Sequence, residues 1–143
     1  MAYSVLVTEA FEADVIEAVS YCIEVLDMPK AAAELMEDID AAKELIASAP
    51  LLYPVSQYAT VGKGSYREKI VRSYVLVYRV REEDETVVLA RMFHQRENYM
   101  RQVAEWDLDL RVASSRARST LQVVLGYGFG RKGLLWIMRP GKC

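Results

Sequence analysis

Histidine is almost absent from this 143-residue chain, and His94 is its single instance. Cysteine is nearly as scarce, with Cys22 and Cys143 alone. There is no CxxC pair and no HExxH pattern. A zinc or other transition-metal centre therefore has too few ligands, and no metal or cofactor is expected. One cysteine falls on an apolar helical stripe and the other is the last residue, so no disulfide framework is expected. A reduced, cytoplasmic setting is the simplest expectation. No apolar run reaches the ~18 residues of a membrane span. The opening MAYSVLVTEAFE lacks a basic stretch before a long apolar block, so it does not read as a signal peptide. The late segment GYGFGRKG lacks the spacing of a phosphate-binding P-loop. Internal repeats are not evident.

What the chain does have is a core and a polarised charge. Hydrophobic residues make up 52% of it, enough for one compact domain. The formal net charge of −2 conceals an imbalance. Residues 1–60 carry eleven acids against two bases, and the remainder carries nine acids against sixteen bases. The basic part is the candidate surface for a polyanion or an acidic partner. Solvated acidic helix faces would account equally well for the first part.

The pattern along the chain predicts an α+β fold. Residues 3–8, YSVLVT, alternate and read as a strand. Thr8 is placed to cap a helix, with Glu9 and Glu12 near its positive end. Phe11, Val15, Val19, Cys22 and Leu26 follow at helical spacing. Asp27-Met28-Pro29 breaks that helix and starts another, because proline is tolerated in a first turn. Ala32, Leu35, Met36, Ile39, Ala42 and Ile46 mark the second stripe, which Ser48-Ala49-Pro50 ends. So short a link implies an antiparallel helix hairpin. Residues 50–65 read as a loop. Three β-rich runs follow, 66–71, 73–80 and 86–93, the last two joined by the charged turn REEDE. They predict a three-stranded antiparallel sheet packed on the helices. Strict alternation puts Tyr74, Leu76, Tyr78 and Val80 on one face of their strand. It groups Val88, Ala90, Met92 and His94 in the next, opposite Val87, Leu89, Arg91 and Phe93. The expected domain is 1–103, with 104–143 an extension of uncertain structure, including Trp106 and Trp136.

This order of elements resembles the RelE/ParE superfamily of bacterial toxins. The residues that carry the resemblance are Tyr3-x-Val5, Pro50 after the second helix, YREKIVRSYVLVYRV (66–80) and VVLARMFHQRENY (87–99). It covers residues 3–102 or so. The resemblance implies the toxin half of a type II toxin–antitoxin pair, with a cognate antitoxin as partner. One branch cuts mRNA on the ribosome; another poisons DNA gyrase.

Metal-free RNA cleavage needs a base for the 2′-hydroxyl, an acid for the leaving oxygen and cations for the phosphate. Arg and a neutral His suit those tasks. The resemblance points to Arg67, Lys69, His94, Arg96 and Tyr99 as the catalytic set, with Lys63 and Arg72 binding RNA. Arg67 and Lys69 alternate and so share a face. RNA-cutting relatives usually carry an Arg directly after the first Tyr of the 74–80 strand; here that position is Val75. The first reading is thus a ribosome-dependent mRNA endonuclease. The alternatives are a gyrase poison with no nuclease activity and a non-toxic interaction module that kept the fold.

Overall fold

The computed structural model describes residues 2–55, 66–95 and 119–126. Strand β1 (Ser4–Val7) leads into helix α1 (Glu9–Ser20). Thr8 does cap it: its hydroxyl oxygen accepts the Phe11 N–H at 3.0 Å. The same hydroxyl donates to the Ala90 carbonyl at 2.7 Å, so the cap also pins α1 to the sheet. The helix then widens into a π-helical turn, Tyr21–Val25. Leu26 N–H reaches the Tyr21 carbonyl, five residues back, at 3.0 Å. Asp27 ends the turn in the left-handed region, φ 51°. Helix α2 (Pro29–Ser48) starts on its proline as expected.

Strands β2 (Tyr66–Val71), β3 (Tyr74–Arg81) and β4 (Thr86–His94) form the expected antiparallel ladders. The sheet gains a fourth strand, because β1 pairs in parallel with β4, giving the order β1-β4-β3-β2. The helices lie on one face of this sheet. Val7, Phe11, Val19, Ile39, Ile46, Leu76, Tyr78 and Leu89 form the core between them. The other face is apolar as well: Tyr66, Val75, Val77, Val88 and Phe93 are buried.

Strict alternation fails at one point. Tyr78 stands opposite Leu89, but Val77 stands opposite Arg91, so Ala90 is an extra residue in β4. This β-bulge resets the phase of the strand. Met92 therefore joins Val87 and Leu89 on the helix side, and His94 follows it there. The grouping of Met92 and His94 with Val88 is corrected accordingly.

A third helix, α3 (Thr120–Gly126), lies against α1 and α2. It belongs to the stretch read from sequence as an extension, yet Val124 is fully buried in the main core. Burying a side chain of that size contributes roughly 1.5–3 kcal/mol.

Candidate functional site

A groove of about 870 Å³ opens where α1 passes into the π turn and β4 ends. Ala18, Leu35 and Met92 contribute apolar surface to it. Arg72, Tyr74, Arg91 and His94 line its sheet side, and Tyr21, Cys22 and Leu26 its helix side. Tyr21 and Leu26 are about half exposed, as is Met28 beside them, and Val25 is more exposed still. Burial raises the Cys22 thiol above its ordinary pKa, so it is no activated nucleophile.

The sheet side of the groove is built by the end of β1. Once β1 stops at Val7, no described strand pairs with β4 on that flank beyond Leu89. Side chains of the α1 region replace it. Thr8 takes the Ala90 carbonyl, and the Asp14 carboxylate accepts the Met92 N–H at 3.0 Å. Asp14 also holds Arg91 in a two-point ion pair, Nε at 2.7 Å and Nη2 at 3.1 Å. The Arg91 guanidinium lies 4.8 Å from the centroid of the Phe93 ring. Paired, half-buried guanidinium of this kind is a structural strut. Its sequence signal is a single Asp beside an apolar stripe, which names no partner 77 residues away.

His94 pairs with Tyr74 across the ladder, ring edge to face, with centroids 5.3 Å apart. Arg72 sits at the β2–β3 turn in the left-handed region, φ 53°. Its Nη2 donates to Glu34 at 3.3 Å and its Nε to Asp38, both on α2. Those carboxylates, Asp38 first, hold the guanidinium above its ordinary pKa. Both arginines of the groove are thus engaged by acids of the same chain.

Arg67 and Lys69 do share a face, the helix side of β2, opposite Tyr78 and Leu76. Segment 51–55 takes up both. Arg67 Nη1 donates to the carbonyls of Tyr53 at 2.5 Å and Leu51 at 3.2 Å. The Lys69 ammonium lies 4.6 Å from the Tyr53 ring centroid. Val55 bridges to Arg67, and Glu68 N–H donates to the Pro54 carbonyl at 3.1 Å. Since β3 lies between β2 and β4, these cations stand two strand spacings, roughly 10 Å, from the strand of His94. They do not meet it in one cleft. Val75 is buried on the face away from the helices. Lys63, Arg96 and Tyr99 lie outside the described residues.

Chemically, the described part of the groove offers one imidazole at an aromatic ring, two acid-bound guanidiniums and an apolar rim. That arrangement is suited to binding a partner segment. The family model for the ParE toxin of the type II toxin–antitoxin system, parDE, matches residues 5–99. The chain belongs to this toxin family. The chain is also similar in fold to a chain of the toxin–antitoxin complex RelBE2 from Mycobacterium tuberculosis, at 20% identity and a TM-score of 0.45. That likeness covers 66% of this chain and 99% of the other. No curated protein matches. For a ParE-family toxin, α3 is notable in lying beyond the matched span while placing Val124 in the core. No helix among the described residues is long and apolar enough to cross a membrane.

Proposed function

We propose that this ParE-family toxin arrests growth by binding DNA gyrase, without cutting RNA. The supporting observation is the dispersal of the cations. RNA cleavage without a metal needs base, acid and cation within reach of one phosphate. Arg67 and Lys69 are held by residues 51–53, two strands from His94, and Val75 stands where RNA-cutting relatives carry an arginine. Induction is expected to give an SOS response and gyrase-linked double-strand breaks, with transcripts intact. His94→Ala should leave that toxicity unchanged. Transcripts cut within codons would overturn the reading.

A second reading, a ribosome-dependent mRNA endonuclease, is favoured by His94 and Tyr74 meeting at the open groove. Arg96 and Tyr99 follow directly in sequence. It requires that His94→Ala combined with Arg96→Ala abolish cleavage in a translating extract. In either case the expected partner is a cognate antitoxin. An amphipathic segment fits the apolar rim, its apolar face against Ala18, Leu35 and Met92. Unimpaired growth on overproduction of the folded protein would sink both readings.

A further inference from the structure

Asp40 and Lys43 lie on a helix face that the sequence would leave to solvent, and Glu12 faces them from α1. Lys43 is only 8% exposed and Glu12 only 3%. What lies over them is α3. Its own start is a reciprocal cap: Gln122 N–H donates to the Ser119 hydroxyl at 3.2 Å, and Ser119 N–H donates to the Gln122 side chain at 3.3 Å. Its second anchor is polar. The Asp40 carboxylate accepts both the Thr120 N–H, at 3.0 Å, and the Thr120 hydroxyl, at 2.7 Å. The Lys43 ammonium donates to that same hydroxyl at 3.4 Å and to Asp40 at 3.4 Å. Its third anchor is apolar. Val123 meets Val7, Phe11 and Val15 with no space for a water between them, and Val124 enters the core.

We infer that the crevice between α1 and α2 is a receptor for the chain's own residues 119–126, a docked strap that belongs to the toxin fold. The physical reason is the state of the empty crevice. It would expose Phe11 and Val15 and strip Asp40 of two donors.

The test uses full-length protein. Val124→Asp is expected to lower the thermal midpoint by on the order of 10 °C. It should also remove hydrogen-exchange protection from residues 120–124 and speed exchange in α1 around Phe11 and Val15. Thr120→Val keeps the shape and removes the bridging hydroxyl; a fall of about 3–6 °C is expected, with Thr120→Ser close to the parent. If Val124→Asp does not fold, the Val and Ser pair at 120 decides the matter. Midpoints and exchange unchanged in Thr120→Val would overturn the strap. So would a dimer in solution in which the strap seats on the second copy. Neither result depends on whether the toxin acts on gyrase or RNA.

Discussion

At one end of the α1–α2 hairpin, buried Lys43 and Thr120 and half-buried Asp40 share hydrogen bonds where α3 packs. At the other end, a π turn, the left-handed residues Asp27 and Arg72 and half-exposed Tyr21, Leu26 and Met28 surround an open groove. The same two helices supply both. Polar groups at the closed end have protein partners, so that end has little left to offer a ligand. The open end keeps apolar surface uncovered and backbone in sparsely populated conformations, the state in which binding sites are commonly found. One end is thus closed by the chain itself, and the other is left open.

The contrast breaks most severely at Asp14, which supports the open end from below. Asp14→Ala leaves Arg91 and the Met92 N–H without their acceptor. A loss of roughly 2–4 kcal/mol is expected in denaturant unfolding. A loss under about 1 kcal/mol would mean that water replaces the strut.

Tyr78 tests the closed side next. Its hydroxyl donates to the Pro50 carbonyl at 2.7 Å, and burial pushes its pKa up to about 12. An unfolded tyrosine ionises near pH ~10. Between about 10 and 12 the unfolded chain has therefore released a proton that the folded one keeps, and stability falls as pH rises through that window. Tyr78→Phe should flatten this alkaline limb and cost about 1–2 kcal/mol at neutral pH, from the carbonyl left unpaired. An unchanged limb would place the ionising group elsewhere.

Smaller effects sharpen the picture of the open end. His94→Ala removes the edge-to-face contact with Tyr74 and should cost about 0.5–1 kcal/mol. A much larger loss would show that His94 belongs to the framework. Arg72→Gly should be nearly neutral, within about 0.5 kcal/mol. Relief of the left-handed backbone offsets the loss of two exposed ion pairs.

Local chemistry made much of this fold legible. Thr8 as a cap, Pro29 as a helix start and the three antiparallel runs all rest on neighbours in sequence, and the structure has each of them. What escaped was decided at long range. Ala90 as a bulge leaves no mark in a run of apolar residues, so Met92 and His94 were assigned the wrong companions. Nothing near Lys43 and Glu12 in sequence signals their burial, because the helix that covers them starts at residue 120. The capping pattern Ser119-x-x-Gln122 ahead of two valines could have flagged that helix. The site was legible in part: Arg67 and Lys69 share the expected face, but nothing local foretold that Leu51 and Tyr53 would occupy them. Asp14, the residue on which the groove most depends, had no signal of its partner at all.

The parallel pairing of β1 with β4 has a consequence for synthesis. Thr8 and Ala90, which it brings together, are 82 residues apart. Contacts at such separation form late and slowly. On the ribosome the hairpin emerges first, with its apolar stripes uncovered and its first strand unpartnered. The groove is lined from Asp14 to His94, so it does not exist until His94 has been joined to the chain. The strap follows later still. A nascent chain interrupted before that point carries the helix hairpin without the groove.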